Sequence, residues 1–319
     1  RREALQAYGL VTAVEPDHYA ALCGVADAQL ALNMLPDAEA SAARALRAQP
    51  NENRAYMIRA MVRLRRNDFN GAIGDLEDAK RTGYDGEDWN EAYSIACSLQ
   101  GDALLKTNDF AAARTSYENA LSHGNSDRPH LDLLFHLAYT DLALGNTAEA
   151  EAGMRHVLSI DSDYYSANAT FGTHLAKRAE VRSNDAAEAA ALLLKAVEQK
   201  PLTNAEVEFH LGVAYVKLED FTRAASAFHR TLQVDPEHAG AADAISLVEG
   251  QLSLTAISKS FSEKDDAMAA SKISNPKVMA KGELGRSIDD IAPLRDDGSG
   301  SDSRHNSLEV CKNYPHTKR

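Results

Sequence analysis

The chain has 319 residues, a net charge of −13 and only 6% aromatic residues. An acidic balance of this size argues against a phosphate-backbone partner, which needs basic patches, so no nucleic-acid binding is expected. No apolar run reaches the roughly 18 residues that a membrane-spanning helix needs, and Cys23, Cys97 and Cys311 are too few and too scattered for a disulfide framework or a metal motif. The acid is concentrated: residues 1–251 carry −14 and residues 252–319 carry +1.

Residues 1–16 read as one lone helix, with Ala4, Tyr8 and Val11 on a stripe and Pro16 beyond it. This half-repeat calls for an earlier helix over its apolar face. The opening in mid-repeat without an initiator Met points to a fragment whose N-terminal targeting region is missing; a cytoplasmic setting is favoured. Six helix pairs are expected next, at residues 19–52, 53–86, 94–127, 131–164, 165–203 and 205–238. Each places a small residue near the start of its second helix: Ala38, Ala72, Ala113, Ala150, Ala189 and Ala224, in register with Ala4. The steps between these alanines are 34, 34, 41, 37, 39 and 35 residues.

Local signals agree with this register. Pro36 sits in the first turn of a second helix, where its missing N–H does no harm, and Pro50 follows that helix. Asn-Asp-Phe recurs in two turns, Asn67–Phe69 and Asn108–Phe110. The 41-residue step carries its excess around Gly83–Trp89, with the single Trp of the chain. That insertion is either a longer loop with an extra helical turn, Trp89 covering the seam, or a partner-facing protrusion. Ser122–Pro129 reads as a break. Ala176–Asp185 reads as a link into which the first helix of its pair extends by about a turn. Residues 239–251 form an expected capping helix, with Ala241, Ile245 and Val248 on one stripe. Residues 252–319 are low in complexity and expected to be mostly disordered, with Asp296–Ser307 linker-like. Leu254, Ile257 and Phe261 allow one or two amphipathic turns.

The stretch Ala205–His238 carries the pattern most fully. Leu211 and Gly212 precede Tyr215, then Ala224, Phe228 and Pro236, and only Glu208 departs, standing where a Trp is usual. This order and spacing resembles the tetratricopeptide repeat (TPR). The resemblance implies an all-α fold, a right-handed superhelical solenoid of antiparallel helix pairs, with the first helices lining a concave groove. It implies a protein–protein interaction scaffold that binds a partner peptide or helix there. The alternative is the docking or regulatory arm of a larger enzyme.

Four slots of each first helix would face the groove. They hold Arg54, Met57, Met61 and Arg65 in the second pair, and Ser98, Asp102 and Lys106 in the third. They hold Phe135 and Tyr139, with His136 beside them, in the fourth, and Phe209, Val213 and Lys217, with His210 beside them, in the sixth. Met and aromatic side chains suit apolar anchors, and Arg suits a carboxylate. TPRs that hold acidic chaperone tails use an Asn pair that this chain lacks, Asp27 and Asp102 standing in such slots. No phosphate loop, G-x-S-x-G, H-E-x-x-H or C-x-x-C is present, and His130 and His136 lack the spacing of a helical metal pair. No catalytic residue, metal or cofactor is therefore expected. Docking of the tail around Leu254–Phe261 in the groove is a further expectation.

Overall fold

The structure is a computed structural model that describes residues 1–84, 86, 88–124, 130–178 and 183–267, without the side chains of 183, 184 and 257–267. The break at 122–129, the link at 176–185 and the tail beyond 267, including Cys311, lie partly or wholly outside the described residues. Among the described residues the chain forms fourteen α-helices and no strand. Two units divide it. The first holds α1 (Arg2–Val14), α2 (Tyr19–Ala31), α3 (Leu35–Ala48), α4 (Arg54–Arg65), α5 (Phe69–Arg81), α6 (Asp88–Lys106), α7 (Phe110–His123), α8 (Leu131–Leu144) and the start of α9 (Thr147–Ile160). The second holds the rest of α9, α10 (Tyr165–Arg178), α11 (Ser183–Gln199), α12 (Ala205–Lys217), α13 (Phe221–Val234) and α14 (Ala241–Ala267). Within each unit successive helices pack on one another, the arrangement of an all-α solenoid of helix pairs.

The alanine register is where the pairs close. Ala38, Ala72, Ala113 and Ala150 in the first unit, and Ala189 and Ala224 in the second, are at most 1% exposed. Each lies in the first two turns of its helix, where a larger side chain would hold the partner helix away. In five of the six, a large residue four positions on (Leu76, Tyr117, Met154, Leu193 or Phe228) fills the space this approach leaves; after Ala38 the position is Ala42. Tyr117 lies over Gly101, and Phe228 over Gly212, so closely that a Cβ on either glycine would come within 2.6 and 2.5 Å of the ring. No residue of α1 is buried, and Ala4, Tyr8, Val11 and Val14 are exposed.

The turns inside the pairs share one backbone device. Asn33, Asn67, Asn108 and Glu219 adopt left-handed φ values of 61°, 61°, 59° and 59°, and Gly145 adopts 81°. Beyond each of the five the next N–H reaches back over the helix end, and in three turns that residue is an aspartate: Asp68 to the Arg63 carbonyl at 2.9 Å, Asp109 to Leu104 at 3.0 Å, Asp220 to Tyr215 at 2.9 Å. The same aspartates then cap the following helix, their carboxylates accepting from the N–H of Gly71, Ala112 and Arg223. The Asn-Asp-Phe triplet therefore ends one helix, caps the next and supplies its first apolar residue.

Two expectations meet a different outcome or a resolved one. Trp89 is 6% exposed and its indole N–H donates to the Leu76 carbonyl at 2.6 Å, so it seals the seam on the 19-residue α6. In the fifth pair α10 is described to Arg178 and α11 from Ser183, so the expected extension of the first helix lies outside the described residues; across the link Asp185 pairs with Arg178 at 2.7 Å. Helix α14 runs to Ala267 and does not stop at 251. Residues 251–267 contain neither Pro nor Gly, so nothing in the backbone ends the helix there. Leu254, Ile257 and Phe261 are thus part of one continuous helix, with Leu254 exposed.

Two substitutions test this packing. Gly212→Leu forces a branched side chain against Phe228 and should cost about 1–3 kcal/mol in urea unfolding. Glu219→Gly removes the steric cost of a left-handed non-glycine residue and should stabilise by about 1 kcal/mol in the same measurement.

Candidate partner-binding face

The structure gives the eleven candidate residues unequal roles. On α4, Met57 is buried and Met61 is half-buried against the core around Leu64 and Tyr117. Arg54 is exposed and pairs with Asp27 of α2 at 2.7 Å. Arg65 donates to the Leu30 carbonyl, also on α2, at 2.9 Å. Both arginines therefore tie α4 to α2, Arg54 through an ion pair and Arg65 through a backbone carbonyl.

On α6 and α8 the candidates converge. Phe135 is 7% exposed and acts as core, but Tyr139, one turn on, is exposed, with ring centroids 6.2 Å apart. His136 is half-buried; its Nδ1 lies 3.3 Å from Asp102 Oδ1, and its ring lies 5.5 Å from that of Tyr117. The Tyr117 hydroxyl donates to the same Asp102 oxygen at 2.8 Å. Lys106 is exposed one turn beyond Asp102. Burial works against the charge on Asp102, but His136, Tyr117 and Lys106 outweigh it and hold its carboxyl below the ordinary range. The site is thus an ionised carboxylate set in aromatic rings. Sequence spacing found Asp102 as a slot residue but missed Tyr117, whose position as the large core residue of α7 concealed a hydroxyl aimed at α6.

In the second unit, Phe209 and His210 on α12 are buried and Val213 is half-buried. Phe209 packs on Phe228 and His238, with centroids 5.4 and 4.6 Å apart. His210 Nδ1 donates to the Glu206 carbonyl at 2.8 Å. These residues are used by the fold and are not free for a partner. A shallow surface depression of about 400 Å³ in this unit is lined by Arg155, Phe171, Glu188 and Lys195. Among the described residues no group of three His, Cys, Asp or Glu side chains could hold a metal ion.

Burial keeps the His210 imidazole neutral, and the charges of Lys177 and His238 act in the same direction against the opposing Glu206 contacts. The unfolded chain takes up a proton at His210 near pH 6.5, and the folded chain resists it, so stability is full above that pH and falls below it. Thermal melts from pH 7 to 5 should show a smaller loss for His210→Gln than for the parent chain. An equal loss would mean that another group titrates.

The sequence pattern of the tetratricopeptide repeat matches residues 26–86, 98–163 and 209–242, just over half of the chain. No curated protein matches it in sequence. Among solved structures, the C-terminal part of a TPR repeat-containing protein from Cytophaga hutchinsonii is similar at 14% identity and a TM-score of 0.51, over 76% of this chain and 94% of that one. YrrB, described as a TPR protein with an unusual peptide-binding site, is similar at 17% identity and a TM-score of 0.31, over 76% and 98%. MamA from MSR-1 is similar at 20% identity and a TM-score of 0.43, over 50% and 87%. At these identities the likeness concerns the fold alone. The residues between 163 and 209, where a fifth repeat is expected at 165–203, fall outside the matched stretches and hold α10 and α11. Register, turns and pattern agree: the chain belongs to the tetratricopeptide repeat family.

Proposed function

We propose that this chain is a protein-interaction scaffold and that the α6–α8 face of its first unit holds an extended peptide of the partner. The coarser part, a scaffold, rests on membership of a family whose repeats stack into extended binding surfaces. The finer part rests on one observation: Tyr139 is exposed one turn along α8 from His136, whose Nδ1 lies 3.3 Å from the ionised, partly buried Asp102. Most other candidates are spent on packing or on helix-to-helix contacts, so this face is the one with side chains to offer. A tyrosine in this setting gives a large contact area at low cost in rotamer entropy, which suits a peptide anchor.

The test is selection of random linear peptides, displayed on phage, against the whole chain. Selected peptides should bind the purified chain with affinity around micromolar, near −8 kcal/mol. Tyr139→Ala should weaken them about tenfold or more while the chain remains folded, with a smaller loss of melting temperature than a buried aromatic would cause, because the side chain is 36% exposed. Phe135→Ala is not a suitable probe, since emptying a buried site costs about 3–5 kcal/mol of stability. Failure to select any peptide, or equal binding to the Tyr139 variant, would remove this reading.

A further inference from the structure

The most buried carboxylates share a feature that the partly buried Asp102 lacks. Asp75, Asp141, Asp185 and Glu208 have side chains at most 13% exposed, and each is matched by an arginine of its own chain. The partners are Arg59, Arg114, Arg178 and Arg230, at 2.6, 2.7, 2.7 and 2.9 Å. This follows from the cost of leaving a buried charge without a counter-charge. Asp102 is 24% exposed and has no arginine. Its contacts, the Tyr117 hydroxyl and His136 Nδ1, both fall on Oδ1. Among the described residues nothing donates to Oδ2. Lys106 is near enough to help hold the charge but forms no ion pair with it among the described residues.

We propose that the partner supplies the missing cation: a lysine or arginine side chain of the bound peptide places its charged head on Asp102 Oδ2 and its stem across His136 and Tyr139. Aromatic faces suit that stem, through cation–π attraction and burial of its methylenes. The arrangement of the site fits, since the rings of Phe135, His136 and Tyr139 follow one another along α8 beside the carboxylate of α6. The longer-range field agrees. Residues 1–153 carry 23 acidic against 14 basic side chains, which draws a basic segment in and disfavours an acidic one. The inference rests on the peptide reading of this face and adds the chemistry of the anchor residue.

The displayed-peptide selection tests it through the sequences recovered. Peptides whose binding depends on Tyr139 should share one Lys or Arg. Replacing that residue with norleucine, a change that leaves the protein untouched, should weaken binding about tenfold. Asp102→Asn should weaken the parent peptide by a similar factor, and the two changes together should add little more, the signature of a direct contact in a double-mutant cycle. Lys106→Ala removes a cation that competes for Asp102 and should tighten binding of the basic peptide. Tyr139-dependent peptides that lack a basic residue, or that carry an acidic one and lose affinity with Lys106→Ala, would overturn the cationic anchor and leave the peptide reading standing. Recovery of no peptide would overturn both.

Discussion

The fold depends on a steric match repeated along the chain: a small residue on one helix admits a large ring or aliphatic group from its pair. Gly101 beneath Tyr117 and Gly212 beneath Phe228 show it most tightly, and Gly172 beneath Leu193 repeats it with an aliphatic side chain. The alanines at the start of each second helix set the distance, and the glycines set where the large side chain may lie. Interior packing at crystal-like density leaves no room to satisfy this match in two ways. The pairs therefore have one register, and the surfaces between pairs inherit it.

Charge is used within that frame as a second set of ties. Asp75 takes two arginines, Arg59 from the facing helix α4 in a bidentate contact and Arg63 at 2.9 Å. Arg114 bridges α7 to Asp141 of α8, with Asn146 on the same carboxylate oxygen. Such buried pairs add little net stability over apolar residues of the same size, but they penalise any packing that would separate the partners. They stabilise one arrangement against its competitors, which matters in an array of similar helices where a shifted pairing is otherwise cheap.

Much of this was legible in the sequence, and the reasons differ by feature. The alanine register and the Asn-Asp-Phe turns are local, so they appear directly as spacing. Glu219 in the equivalent turn position was legible only as a turn residue; its left-handed backbone is revealed by φ and not by residue type. The burial of Met57, Phe135, Phe209 and His210 was misread for a non-local reason. A slot number fixes the face of a helix, but the roll of the next helix decides how much of that face is covered. His210 shows the limit well: it lies beside a slot residue, yet α12 buries it against its own Glu206 carbonyl and near His238.

Glu208 and Asp102 carry the same kind of group on equivalent first helices and illustrate where sequence reading stops. Glu208 stands where the family usually has Trp, and on sequence alone it is a defect in the pattern. In the fold it is 1% exposed and held by Arg230 of the paired helix, 22 residues later, so the departure is compensated within the repeat. Asp102 fits the pattern without remark, but its charge is balanced by no arginine of its own chain. The informative quantity is therefore not whether a charged residue sits on the core side of a helix. It is what the chain supplies to hold the charge: an arginine for Glu208, and a hydroxyl, an imidazole and a nearby lysine for Asp102, which leave one carboxylate oxygen open to a partner.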